Sequence, residues 1–299
     1  MDWNSAIKGF YRYLLLELGH SENTLNSYQS DLRHFANYCE NQEPPVSVGA
    51  VTTETVEHFL AQLYDEKKMA TSQARYLSSI KAFFRYARLE ELISVDPVAL
   101  VQGPKTDRKL PVVLSIKEVD QLMGAIDLSS KHGTRNRAIL ETLYACGLRV
   151  TELCELRLSN LHPDMELVKV LGKGRKERWV PVSQTALKHL NFYINGDRRE
   201  GKIVEEDVVF LNNRGGRISR QQIFLILKKA CRDAGIRKKV SPHVLRHSFA
   251  THLLRGGANL KAIQDMLGHE SITTTEIYTH IDRDQLREVI LRFHPRNRG

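Results

Sequence analysis

Sulfur is scarce in this chain and poorly placed for cross-linking. The four cysteines, Cys39, Cys146, Cys154 and Cys231, form no CxxC pair and no ligand-like spacing. That excludes a disulfide framework and a zinc module, and the apolar helical patterns around all four read as reduced core thiols in a reducing compartment. Long hydrophobic runs are missing too. Nothing approaches the roughly 20 apolar residues of a membrane span, and the longest apolar run near the start, residues 13–16, is too short for a secretory leader. The chain is therefore expected in the cytoplasm, away from membranes. No internal repeat or low-complexity tract is evident. Acidic residues are in deficit: 44 Lys and Arg face 35 Asp and Glu, a net charge of +9.

The imbalance is uneven. Residues 1–105 hold 10 basic and 13 acidic side chains, whereas the remainder holds 34 and 22. A basic C-terminal portion points to a polyanion such as nucleic acid, although a solvated surface accounts for charge alone equally well. The shift coincides with VQGPKTDRKLP, residues 101–111, whose glycine, prolines, alternating charge and lack of apolar period read as a linker. It separates two expected domains, 1–100 and 112–299, a number that suits a chain of this length.

The first domain reads as four amphipathic helices at about 4–18, 23–39, 53–67 and 72–89. Phe10, Leu14 and Leu18, then Leu25, Tyr28, Leu32 and Phe35, recur at three- and four-residue steps that place them on one face. Glu43-Pro44-Pro45 separates the second helix from the third, and tight joins predict a compact bundle. Helices predominate again after the linker. The exception is 166–182, where VKVLGKGRKERWVPV alternates apolar and polar residues on either side of GKGRK. This predicts a β-hairpin presenting Lys173, Arg175 and Lys176 at its turn, with a later short strand at 208–211. The fold class is mainly α with a small antiparallel sheet.

Chemistry concentrates near the C-terminal end. In SPHVLRHSFATHLL, Ser241 is a natural N-cap and Pro242 fits a first helical turn, so His243 and Arg246 share one face at a helix start. Arg246 offers a fork of donors for two phosphate oxygens, and the helix start adds partial positive charge. In LGHESITTTEIYTH, Gly268 ends a helix and His269 emerges from it. Thr273 and Glu276 form a capping box for a new helix carrying Tyr278, in a setting unusually polar for a core tyrosine. Arg149 follows Gly147 in YACGLRVTEL, at a helix junction expected to be exposed, with Glu152 three residues on to orient it or a neighbouring histidine.

Each piece has an ordinary structural explanation: a surface arginine, a core tyrosine, a helix-face ion pair. Together they supply what a tyrosine oxygen needs to attack a phosphodiester. Two arginines and two histidines stabilise charge on the pentacoordinate phosphorus, and a phenol with solution pKa of about 10 needs that cationic surround. Lys173, on the hairpin, can protonate the leaving alkoxide where an arginine would not, with Arg175 and Lys176 as alternates. His243 and His247 stand at a spacing metals use, but no Glu follows the first and no third ligand is apparent. His247 and His252 are instead expected to pack or hydrogen-bond locally. Neither a metal nor another cofactor is expected.

These motifs, GLRVTEL, GKGRKER, SPHVLRHSFATHLL, LGH and IYTH, resemble those of the tyrosine recombinase (phage integrase) superfamily, Xer type, from the first helix to the HPR near the end. The phrases ENTLNSYQSDL and ATSQARYLSSIKAFFRY look more like the XerD branch than XerC. The resemblance implies an N-terminal SAM-like four-helix domain that binds core DNA and a C-terminal catalytic domain. It makes Arg149, Lys173, His243, Arg246, His269 and Tyr278 the catalytic set, with Tyr278 forming a 3′-phosphotyrosyl link. It further implies double-stranded DNA at a specific site, strand exchange through a Holliday junction, and a tetramer with two copies of a XerC-like sister. Resolution of chromosome dimers at cell division, with FtsK as a further partner, is implied as well. By similarity the last helix, 283–292, docks into a neighbouring subunit, although its stripe of Leu286, Val289, Ile290 and Phe293 can equally fold back on its own chain. Rival readings are a type IB topoisomerase-like activity, an integron or phage-type integrase, and a non-catalytic DNA-binding relative.

Overall fold

Aromatic side chains recur at helical spacing along the N-terminal sequence, and burying them on one side shapes the first unit. The computed structural model describes residues 2–104, 112–172, 176–200, 202–268 and 283–297. The chain divides into two compact units, Met1–Lys109 and Leu110–Gly299. In the first, α1 (Trp3–Leu16), α2 (Glu22–Glu40), α3 (Thr53–Asp65) and α4 (Ala70–Leu89) enclose Trp3, Phe10, Phe35, Phe59, Phe83 and Phe84. Phe35 meets Trp3 edge-on at 5.5 Å and Phe59 at 5.0 Å, geometry that suits the aromatic quadrupole. Buried Asp31 accepts from the Ser79 hydroxyl at 2.8 Å and pairs with Arg75, fastening α2 to α4.

One residue of the expected apolar face falls outside it. Leu18 lies beyond the end of α1 and is 50% exposed. The helix stops at Leu16 and the chain turns at Gly19, whose φ of +58° suits glycine.

The second unit contains α5 (Ile116–Gly124), α6 (Gly133–Cys146), α7 (Val150–Cys154), α8 (Gln184–Asn195), α9 (Asp197–Glu200), α10 (Arg220–Asp233), α11 (Pro242–Gly256), α12 (Leu260–Leu267) and α13 (Arg283–Phe293). Helix α6 is its central post, buried continuously from Ala138 to Cys146. Strands β1 (Leu161–His162), β2 (Leu167–Leu171) and β3 (Glu177–Pro181) form an antiparallel sheet in that order. β2 and β3 are the expected hairpin, in register at Val170 with Arg178 and Leu171 with Glu177. The Gly172 amide closes it on the Lys176 carbonyl at 2.8 Å. β1 adds a short strand that the alternation did not reveal.

The expected strand at 208–211 is not one. Val208 bridges Arg157 and Leu211 bridges Arg217, each in isolation. Between them the Val209 amide donates to Leu156 while Phe210 accepts from Ile218, so the segment bonds alternately to two different stretches and no ladder propagates.

Helix α13 turns its apolar stripe inward on its own unit. Leu286 and Ile290 are buried, with Val289 and Phe293 packed beside them, and Arg287 bonds Glu166 at 2.7 Å. All four cysteines are free and buried, as their apolar settings predicted. No helix among the described residues is long and apolar enough to cross a membrane.

Candidate active site

The C-terminal end of α12 gathers the cationic groups. A helix leaves its last carbonyls without intrahelical donors, and they carry its partial negative charge. Here three successive carbonyls each receive a different guanidinium. Arg178 donates from Nε to Met266 at 2.8 Å, Arg246 to Leu267 at 2.6 Å, and Arg149 to Gly268 at 3.0 Å. Gly268, at φ +63°, then ends the helix as its spacing predicted.

The same three arginines surround Glu152, which is 4% exposed. Its Oε1 accepts from Arg149 at 2.7 Å and Arg178 at 2.8 Å; Oε2 accepts from the Arg149 amide at 2.8 Å and Arg178 at 2.9 Å. Four hydrogen bonds saturate a carboxylate. An Arg246 nitrogen lies 3.9 Å from Oε2. Burial opposes ionisation of Glu152, but the hydrogen bonds and charge of Arg178 and the hydrogen bonds of Arg149 outweigh it, and the carboxyl is held below its usual range. Three guanidinium charges against one carboxylate leave the cluster cationic.

Local sequence explains how each arginine arrives. Helix α6 must stop hard to deliver Arg149, and Gly147 stops it at φ +57°. A β-carbon there would stand 2.4 Å from a Phe249 ring atom, so both space and backbone demand glycine. The junction is consequently buried at Gly147 and Leu148, not exposed as the glycine alone suggested. Arg149 itself keeps 31% of its side chain open.

Arg246 comes from the first turns of α11, where Pro242 opens the helix and Ser241 caps the Val244 amide. Its fork does not stand open: it is 8% exposed and donates to Gly147 at 2.7 Å as well as to Leu267. Burial first, then the like charges of Arg149 and Arg178, pull its guanidinium down to about 10, with Glu152 opposing. It therefore remains charged at neutral pH. Each of these two arginines spends two of five N–H donors on the protein and, among the described residues, leaves the other three without a protein acceptor.

His243 lies exposed on the first turn of α11. His247 is also exposed, against the expectation of local packing, because one turn along α11 carries it to the same open side. His252 is buried and bonds the Tyr144 hydroxyl at 2.7 Å, as expected. Among the described residues, no group of three or more His, Cys, Asp or Glu is placed to hold a metal ion. Lys173, Arg175, His269, Tyr278 and the Thr273–Glu276 capping box lie outside the described residues. Arg178 is the site residue that motif reading passed over, although period two along β3 puts it on the face of buried Val180.

A cationic centre in a helical unit suits an anion such as a phosphodiester, and comparison with known proteins identifies the family. Residues 113–285 match the Phage integrase family and residues 7–91 match the Phage integrase, N-terminal SAM-like domain. The chain is 41% identical over 293 residues to tyrosine recombinase XerD of Staphylococcus haemolyticus, covering 98% of this chain and 99% of that one. It is 41% identical over 300 residues to tyrosine recombinase XerC of Halalkalibacterium halodurans, covering 99% and 98%. Its fold is similar to the XerH site-specific recombinase bound to palindromic difH substrate, with TM-score 0.70, 24% identity, and 90% and 79% of the two chains covered. The chain belongs to the phage integrase family, and within it to the Xer-type tyrosine recombinases. It is a site-specific DNA recombinase.

Proposed function

We propose that Tyr278 is the nucleophile of this recombinase and that Arg149, Lys173, His243, Arg246 and His269 complete its catalytic set. The Tyr278 phenol gives up its proton to solvent as its oxygen attacks the scissile phosphorus, and the displaced 5′ oxygen takes a proton from Lys173. The products are a 3′-phosphotyrosyl link and a free 5′-hydroxyl. That hydroxyl attacks the phosphotyrosine of a partner duplex, so the phosphodiester bond is kept and no nucleotide energy source is needed. Two rounds carry the strands through a Holliday junction in a DNA-bound tetramer, with two copies of this chain and two of a XerC-like sister. The N-terminal unit, residues 1–100, binds core DNA, residues 101–111 link it, and residues 112–299 carry the chemistry.

The single observation that carries this reading is the cationic surplus around Glu152. Three arginines around one carboxylate leave positive charge for an anion, and the donors that Arg149 and Arg246 do not spend on the protein are available to phosphoryl oxygens. The curated relatives, both named tyrosine recombinases, support the same conclusion. The biological setting we infer is the cytoplasm, where the enzyme resolves chromosome dimers at cell division, with FtsK as an accessory partner.

The test is Tyr278→Phe on a duplex carrying the binding site and nicked beside the scissile phosphate, so that the released fragment escapes. The unchanged protein accumulates a covalent adduct and the variant forms none. An adduct that survives the substitution moves the nucleophile elsewhere.

A further inference from the structure

We infer that Arg178 is a positioning residue that sets three parts of the catalytic apparatus from one place. Its guanidinium donates two parallel bonds to Glu152, at 2.8 and 2.9 Å, and Nε donates to the Met266 carbonyl at 2.8 Å. Glu152 in turn fixes both the amide and the guanidinium of Arg149. The Met266 bond fixes the last turn of α12, and the chain continues from Gly268 directly into His269. Arg178 also belongs to β3, the returning strand of the hairpin whose turn sequence holds Lys173.

Contact reinforces the bonding. A β-carbon at Gly268 would lie 3.2 Å from Cδ, Nε and one terminal nitrogen of Arg178, so this side chain lies against the exit of α12. Only 14% of it is exposed, and all three of its nitrogens are engaged within the protein. Arg149, at 31% exposure, keeps donors to spare. The two arginines thus divide the work: Arg149 faces the substrate and Arg178 holds the frame. A planar fork is required for this, since a lysine offers a point charge that cannot span both carboxylate oxygens and a carbonyl.

The inference rests on the proposed catalytic set, and the experiment separates the two. Single-turnover adduct formation on the nicked duplex yields a rate constant and an end-point amplitude, and a gel-shift titration yields DNA affinity. For Arg178→Gln and Arg178→Lys the rate constant is expected to fall about 10–100-fold, the range typical of outer partners that orient reacting groups. Amplitude and affinity stay near those of the unchanged protein, because the folded fraction and the phosphate-contacting groups persist. A purely structural role instead lowers amplitude with an unchanged rate constant, and that result overturns the inference. Because Arg178→Gln leaves Glu152 without its main partner, the double variant Arg178→Gln/Glu152→Gln removes both charges. It must show the same slow rate constant with full amplitude, and a normal rate constant there also overturns it. An adduct that persists in Tyr278→Phe defeats the catalytic assignment alone, whatever Arg178 does.

Discussion

Glu141 and Glu152 are both buried beneath arginines in the same unit, yet the two clusters differ in how their charges close. Glu141, on α6, accepts from Arg137 at 2.9 Å and from Arg296 at 3.0 Å, and Arg296 reaches Asp120 at 2.8 Å. Two guanidinium groups meet two carboxylates and the account balances. Around Glu152, Arg149, Arg178 and Arg246 meet one carboxylate and a helix end. The same side-chain types therefore build a neutral clasp in one place and a cationic receptor in the other. Burial and ion pairing are common to both; the surplus of charge and spare donors distinguishes the place where we propose the DNA phosphate binds.

The comparison breaks most visibly at the balanced end. Glu141→Gln strands the largely buried Arg137 and leaves Arg296 with Asp120 alone, and removing one partner of a buried pair costs about 3–5 kcal/mol. Urea unfolding should register that loss, while the rate constant of adduct formation in the remaining folded protein stays unchanged. A slowed rate constant in the folded fraction would show that the clasp is part of the catalytic machinery, and the contrast would fail.

At the receptor the balance reverses. Arg246→Gln should lower the rate constant of adduct formation by about 10²–10³-fold, the effect of removing one preorganised donor to a developing oxyanion. Its stability cost is smaller, because two carbonyls lose a donor whereas no buried charge is stranded. Equal stability loss with an undiminished rate constant would place Arg246 with Arg137 and Arg296 as a structural cation.

Much of this architecture is legible in the sequence, and the divide follows the range of the interactions. Helices α1 to α4 and the hairpin of β2 and β3 announce themselves because hydrophobic period is a local property. Gly147 and Gly268 announce helix ends for the same reason. What stays hidden is set by partners far along the chain. Nothing near Arg246 in sequence says that its fork will bond Gly147, or that Arg178 will find Met266. The isolated bridges at Val208 and Leu211 depend likewise on two separate stretches. Arg178 is the instructive case: its place in the alternation with Val180 marks it as inward-facing, yet its role needs Glu152 to be seen.

A third test concerns the tail that completes the balanced cluster. His294 is fully buried against Tyr144 and Phe249, with Arg296 and His252 as the nearby ionisable groups. Burial pushes its imidazole down to about 3 from the ordinary 6.5. The folded-state pKa is depressed, so between those values the unfolded chain binds the extra proton. The stabilisation is full above 6.5 and is lost on acidification, with a slope approaching ~1.4 kcal/mol per pH unit. His294→Phe keeps an aromatic filler and should flatten this dependence. Comparing urea unfolding at pH 7.5 and 5.5, the unchanged protein should lose about 1.4 kcal/mol more than the variant. Identical pH responses would show that the tail does not hold the imidazole neutral in solution.

The smallest effect separates the two regions by helix caps. Ser115 caps α5 reciprocally with Glu118, and Ser241 caps the turn of α11 that carries His243 and leads to Arg246. Loss of either hydroxyl to alanine should cost about 1 kcal/mol, the usual worth of an N-cap. On stability alone the two variants should look alike. Adduct formation should tell them apart, since only Ser241→Ala loosens a turn that we propose faces the phosphate. Ser115→Ala should keep its rate constant and Ser241→Ala should lose a few-fold, because a small displacement of a charged donor weakens transition-state stabilisation more than it weakens the fold. If both keep their rate constants, the first turn of α11 is held by the two Arg246 bonds to Gly147 and Leu267 and owes little to its cap.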